Sequence, residues 1–257
     1  VDSPSKPSPE FGLADTAYRA FRPAYPERLY ARVLEDLAGP RALAVDIGAG
    51  TGLVSGVLAR HFGRVVAVEP DAAMAAHLRE TAPGVEIQSV SAEQAELEPG
   101  SVDLVSCANA FYWMKGPEVA AALSGWLRGG GLFAAWRYPF PSVPAPVDAV
   151  IAAQFRERWV NPDHRVMQRG YTRRCVEEQP ALELLADERV ENLIPMSPAQ
   201  IVGFCSSTSF GAAYLRSLDE QAGADYLREL EAELREAGGE TIEVDFELEL
   251  ILARSRS

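Results

Sequence analysis

The chain has 257 residues, 47% of them hydrophobic, which suits one α/β core of good size with or without a cap. Its formal net charge of -13 argues against a nucleic-acid substrate, since a phosphate backbone is repelled by such a field, and favours a small molecule. Cys107, Cys175 and Cys205 lack paired spacing, no apolar run approaches the roughly 20 residues of a membrane span, and no basic segment followed by an apolar core opens the chain, so the reading has no metal, no disulfide framework and no membrane, and a reducing cytoplasm fits.

Residues 1–12 alternate proline with small polar side chains and are expected to form a disordered tail. Residues 13–37 read as two lid helices that hinge at Pro23 and Pro26, with Leu29, Val33 and Leu37 at helical spacing. The core is placed at 38–140. Leu43 to Ile47 is a short apolar run of the buried parallel-strand kind, and Gly48, Gly50 and Gly52 then turn the chain into a helix whose buried stripe is Leu53, Val54, Val57 and Leu58. A dinucleotide fingerprint wants glycine or alanine three residues after its second glycine, where this chain has Leu53, and no Gly-Lys-Ser or Gly-Lys-Thr follows to make a Walker loop. Asp46 at the strand's end suits a positively charged group better than a pyrophosphate.

Arg64 to Val68 is a second buried strand. Glu69 follows it at about the interval from the loop at which a doubly wound fold places the carboxylate that accepts both ribose hydroxyls. Pro70-Asp71 stops the strand and caps the next helix. Val85 to Val90 and Val102 to Cys107 read as strands three and four, and Ala108 to Trp113 leaves the carboxyl end of the fourth, where the ligand crevice of such a sheet lies. A helix from Pro117 burying Val119, Leu123 and Leu127 ends at Gly129-Gly130-Gly131, before a fifth strand at Leu132 to Trp136. Residues 141–187 are expected to form a helical cap insertion, whose arginines hint at an anionic substrate. Residues 188–257 return to the core with a sixth strand at Arg189 to Ile194, a helix from Ser197-Pro198, a long acidic helix from Asp219 to Glu236, and an antiparallel seventh strand at the edge from Thr241 to Ala253. The expected fold is α/β, a doubly wound, seven-stranded, mostly parallel sheet of Rossmann-like type.

The D-x-G-x-G-x-G run from Asp46 to Gly52 resembles the first motif of class I S-adenosylmethionine (SAM) dependent methyltransferases. The block Tyr18-x-x-Phe21-Arg22-Pro23-x-Tyr25-Pro26 is similar to the entry segment of their type 11 and trans-aconitate-methyltransferase-like members. The resemblance implies that Asp46, Gly48, Ala49, Gly50 and Gly52 cradle the methionine and ribose, with Arg22 pairing the SAM carboxylate and Tyr18 bonding beside it. It also implies that Glu69 and Pro70 take the ribose, Met74 the adenine face, and Ala92 and Glu93 the adenine edge, where relatives often have G-D-A-E and this chain has Val90-Ser91-Ala92-Glu93. The stretch Ala108 to Trp113 resembles A-x-A-F-H-W with Tyr112 in place of histidine, so a histidine base does not carry over to a side chain whose ordinary pKa is about 10. Tyr112 and Asn109, the latter also beside the cofactor, are then read as orienting the nucleophile, and His164 remains as a candidate base. Trp113, Trp136, Tyr138 and Tyr171 wall the substrate. The implied activity is methyl transfer to an oxygen, nitrogen or carboxylate of a small molecule in specialised metabolism. A SAM-fold protein that binds the cofactor without transferring methyl is the alternative, and substrate identity and oligomeric state stay open.

Overall fold

The computed structural model describes residues 21–160 and 170–256. Helix α1 (Glu27–Glu35) starts directly after Pro26 and buries Leu29, Tyr30 and Val33, a helical stripe that packs on one face of the sheet. The core then alternates β1 (Leu43–Ile47), α2 (Leu53–Leu58), β2 (Arg64–Val68), α3 (Ala72–Thr81), β3 (Glu86–Gln88), β4 (Val102–Ala108), α4 (Gly116–Trp126) and β5 (Leu127–Arg137). Single turns of helix at Ala92–Gln94 and Phe111–Trp113 follow β3 and β4. Beyond β5 come α5 (Ala145–Glu157), α6 (Tyr171–Glu177), β6 (Leu182–Val190), β7 (Leu193–Met196), α7 (Pro198–Ser206), α8 (Ser209–Arg216), α9 (Glu220–Gly238), β8 (Ile242–Asp245) and β9 (Leu248–Ser255).

Seven strands form one sheet in the order β3-β2-β1-β4-β5-β9-β6, with β9 antiparallel to both of its neighbours, so the expected Rossmann-like architecture is present. The strand order reverses between β1 and β4, and a crevice opens there outside the carboxyl ends of the strands. Alternation along the strands feeds two cores: Ala44, Leu132 and Ala134 face α1, α5, α7 and α9, while Val45, Ile47, Phe133 and Ala135 face α4 and α6.

Several boundaries differ from the sequence reading. The sixth strand lies at 182–190, so the last residues assigned to the cap belong to the sheet. The apolar pair Leu193-Ile194 instead enters a separate two-stranded ribbon, with β7 antiparallel to β8. The single edge strand expected over 241–253 is two strands, and β9 is interior, because Leu250, Ile251, Leu252 and Ala253 are apolar on both faces and are covered by β5 on one side and β6 on the other. The triple glycine falls inside the range of β5 rather than in a turn before it. In α2, Val54 and Leu58 are buried as expected, but Leu53 is 44% exposed and Ser55 is fully buried, because Ser55 has a polar partner inside. The tail and the first part of the lid fall outside the described residues.

One buried charge ties the start of β1 to its neighbour. Asp103 on β4, 1% exposed, accepts the backbone N–H groups of Ala42 and Leu43 at 2.8 and 2.9 Å and pairs with the Arg128 guanidinium. Asp103→Ala leaves two amides and a guanidinium without their acceptor, and is expected to lower stability by about 3 kcal/mol in urea unfolding.

Candidate active site

The loop after β1 is stapled to the next strand: Gly48 and Ala49 both donate backbone N–H to the Val68 carbonyl, at 2.9 and 3.2 Å. A side chain at Gly48 would meet Ala110 at 2.5 Å, so this glycine lets the loop lie against the segment that leaves β4. Gly50 has φ of +56° and open space where a Cβ would stand, which leaves bare backbone facing the crevice. Its N–H donates to Glu69 Oε2 at 2.8 Å, and Asp71 N–H donates to Glu69 Oε1 at the same distance. Burial raises the Glu69 pKa, and these two donors work in the opposite direction. Asp71 in turn caps α3 by accepting from Ala73 and Met74.

Below the loop, Asp46 is 1% exposed. Its Oδ2 accepts from the Ser55 hydroxyl at 2.6 Å and its Oδ1 from the Ser106 hydroxyl at 2.7 Å. This is why Ser55 rather than Leu53 points inward from α2. Burial pushes the Asp46 pKa up to about 6, the two hydroxyls pull it back, and the Glu69 carboxylate adds to the rise.

A cleft of about 470 Å³ is lined by Arg22, Tyr25, Asp46, Tyr138 and the loop from Gly48 to Gly52. Arg22 lies over the Phe204 ring at 5.2 Å, donates to the Tyr138 hydroxyl at 3.1 Å and reaches the Ser207 carbonyl at 3.4 Å. Asn109, the residue directly after β4, has φ of +50°, unusual for a residue with a side chain. Its amide holds that turn in place, because Oδ1 accepts from the Tyr138 N–H at 3.1 Å and Nδ2 donates to the Tyr25 hydroxyl at 3.0 Å. A second cavity of about 400 Å³ lies beside the same segment, walled by Phe111, Tyr112 and Tyr171 and rimmed by Arg137 and Glu249, themselves paired at 2.6 Å.

Residues 45–135 match the family model described as a methyltransferase domain. The chain is 27% identical to a methyltransferase of Dictyostelium discoideum over 99% of its own length and 98% of that protein's. It is 31% identical to the S-adenosylmethionine-dependent methyltransferase CRG1 of Saccharomyces cerevisiae, over 48% of this chain and 45% of that one. A solved type II methyltransferase from Anaeromyxobacter dehalogenans superposes with a TM-score of 0.71 at 28% identity, covering 91% of this chain and 98% of that one. The chain is a SAM-dependent methyltransferase with the class I fold.

SAM is accordingly the cofactor of this methyltransferase, and the crevice fits it. The open backbone at Gly50 admits a ligand against the loop, the buried Asp46 carboxylate suits a cation, and Arg22 suits a carboxylate. The cleft gathers Arg22, Asp46, Gly48, Ala49, Gly50, Gly52 and Tyr138, with Glu69 joined to it through Gly50. Met74 and Ala92 are buried at 6% and 3% exposure, and Pro70 is exposed. Glu93 uses one carboxylate oxygen to accept the Lys115 N–H at 2.7 Å, at the start of α4. Tyr112, Trp136 and Tyr171 line the second cavity instead, and the Tyr171 hydroxyl accepts from Gly116 N–H at 2.9 Å, so it also serves the start of α4. Trp113 packs against Tyr112 with ring centroids 5.2 Å apart and lines neither space. Tyr18 and His164 lie outside the described residues. Among the described residues no three histidine, cysteine or acidic side chains gather as a metal site, and no helix is long and apolar enough to cross a membrane.

Sequence reasoning missed Tyr25 as a lining residue and missed Ser55 and Ser106 altogether. Their signal was a hydroxyl set in an otherwise apolar, fully buried stretch, which is costly unless a partner is waiting. For the stability of the unliganded protein the sign follows from Asp46: its folded pKa of about 6 exceeds the ordinary value of 3.8, so raising the pH through that window withdraws a proton the folded state prefers to hold. Asp46→Asn removes this penalty. The variant's Tm advantage over the wild type is expected to be small at pH 4, to grow by several degrees as the pH rises through about 6 and to level off above it, read by thermal melts in parallel.

Proposed function

We propose that this methyltransferase transfers the SAM methyl group to an oxygen, nitrogen or carboxylate of a small molecule in specialised metabolism, in the cytoplasm and without a nucleic-acid partner. The observation that carries the proposal is the tie between the Gly50 N–H and the Glu69 carboxylate, which joins the glycine loop to an acid beside the carboxyl end of β2. The net charge of -13 and spaces of about 400 and 470 Å³ support a small acceptor.

When bound, SAM supplies a methyl group already activated on a sulfonium, so the chain's task is alignment rather than bond breaking. In this reading Glu69 keeps lone pairs free beyond its two backbone bonds and accepts both ribose hydroxyls with them. Gly48, Ala49, Gly50 and Gly52 lie under the ligand, Arg22 takes its carboxylate, and Tyr18 stands beside Arg22. Pro70, Met74, Ala92 and Glu93 bound the adenine half. Asn109 acts by fixing Tyr25 and Tyr138 at the mouth of the cleft. Tyr112, backed by Trp113, orients the nucleophile, with Trp136, Tyr138 and Tyr171 around the acceptor and His164 as the base where one is needed.

Two measurements test this. Calorimetry on the unliganded protein is expected to show saturable binding of SAM and of S-adenosylhomocysteine (SAH), and radiolabelled methyl transfer is expected to at least one member of a panel of small acids, phenols and amines. Glu69→Ala is expected to weaken SAM binding by about a hundredfold, two charge-assisted bonds, and Glu93→Ala by less than about tenfold; equal small losses would remove the pocket assignment.

A further inference from the structure

The strands beyond the cofactor cleft carry a row of charges to the carboxyl end of the sheet. β5, β9 and β6 pair in a register that sets Arg137 opposite Glu249 and Glu249 opposite Arg189. Residues directly opposite one another share a face, and alternation from Ala135 and Ile251 makes it the face on which Phe111 is buried and Tyr171 packs. The row therefore reads cation, anion, cation at the strand spacing of about 4.8 Å, and all three residues line the second cavity. Arg137 and Glu249 hold each other at 2.6 Å with only 20% and 29% of their side chains exposed, whereas Arg189 is 58% exposed and pairs with Glu247 at 2.6 Å. Phe111 and Tyr171, with ring centroids 6.0 Å apart, supply an aromatic part of the same lining. The cavity lies one side chain from the glycine loop: Ala110 lines it, and Ala110 is also what a Cβ at Gly48 would strike.

The arginines of this region hint at an anionic ligand when read from sequence, but in the structure each cavity guanidinium has an acid: Arg137 has Glu249, Arg189 has Glu247, and Arg173, which also lines the cavity, has Glu177 and Asp187. A ligand with a carboxylate alone would draw Arg137 away and leave Glu249 part-buried beside a like charge, and a ligand with an amine alone would do the reverse. A ligand carrying both signs meets both members of the pair at once. We propose that this cavity is the acceptor site and that it takes an amphoteric small molecule of amino-acid type, its carboxylate on Arg137, its ammonium on Glu249 and its apolar body against Phe111 and Tyr171. The two charges of an amino acid hang from one carbon, so they stay close enough together to meet side chains on neighbouring strands. Arg189, on the far side of Glu249, repels a second cation on the ligand. The inference rests on the reading that the glycine-loop cleft binds SAM, since Ala110 is what places the acceptor beside that cofactor.

The test is calorimetry on the full chain saturated with SAH, titrated at neutral pH with three probes of one body: phenylalanine, which carries both charges, 3-phenylpropionate, which carries only the acid, and phenethylamine, which carries only the amine. Phenylalanine is expected to bind at least roughly tenfold more tightly than either of the others. Arg137→Gln removes its advantage over phenethylamine, and Glu249→Gln removes its advantage over 3-phenylpropionate, while SAH binding in both variants stays at the wild-type level and reports that the chain is folded. If a single variant does not fold because one charge is left alone, the double variant Arg137→Gln/Glu249→Gln leaves neither, and in it the three probes are expected to bind alike. Phenylalanine binding no more tightly than the single-charge probes, no binding of any probe to the SAH-loaded chain, or a preference that survives in the double variant would each overturn the inference. Failure of SAH itself to bind would instead remove the cofactor reading on which it stands.

Discussion

The backbone at the end of β1 has to do two things that conflict for an ordinary polypeptide: reverse direction tightly and keep the crevice beside it clear of side chains. Glycine resolves the conflict at Gly48 by letting the loop touch Ala110, and at Gly50 by admitting a left-handed turn with nothing above it. Everything else at the crevice is arranged around that exposed backbone. Glu69 collects the Gly50 amide and Val68 collects two more, so the loop borrows its rigidity from β2 rather than from its own side chains. The parallel pairing of β1 with β2 is therefore as much a part of the site as any residue facing it.

A second set of restraints comes from the far end of the same crevice. Asn109 holds a backbone conformation that its side chain would ordinarily disfavour, and the bonds to Tyr25 and Tyr138 are what make it tenable. Tyr138 also receives Arg22, so the segment before α1, the end of β4 and the end of β5 are joined through one amide and one phenol. The T-shaped contact between Tyr25 and Trp136, with centroids 5.6 Å apart, adds a packing tie between two of these elements, the segment before α1 and β5. The wall of the cleft is thus a connected polar and aromatic structure, while its floor is a set of backbone groups and a buried acid.

The parts readable from sequence were those whose signal is local. The apolar runs of β1 and β2, the glycine spacing and the carboxylate at Glu69 are contiguous patterns, and α7 and α9 carry their N-caps, Ser197 and Asp219, in plain view. What was lost depended on distant partners. The pairing of β7 with β8 joins Leu193 to Asp245 across a long stretch of chain, and nothing local says that Leu193 and Ile194 leave the main sheet. The interior position of β9 was nearer to legible, since four consecutive apolar residues from Leu250 to Ala253 argue against an edge. Ser55 and Ser106 became meaningful only once Asp46 was seen between them, and Tyr171, read as a wall of the site, uses its hydroxyl to support α4.

The placement of β9 bears on how the protein is made. It pairs with β5 through Leu132 to Arg137 and with β6 through Leu182 to Val190, so two strands that are synthesised earlier wait for a later one to fill the gap between them. Until β9 has left the ribosome, β5 and β6 each present an unpaired edge, and apolar side chains such as Phe133 and Ala135 lack part of their cover. The β1, β2 and β4 end of the sheet, with the glycine loop, needs none of this and can assemble first. Before β9 is in place the sheet is open between β5 and β6, and such an unpaired apolar edge is where a growing chain is most prone to stick to another.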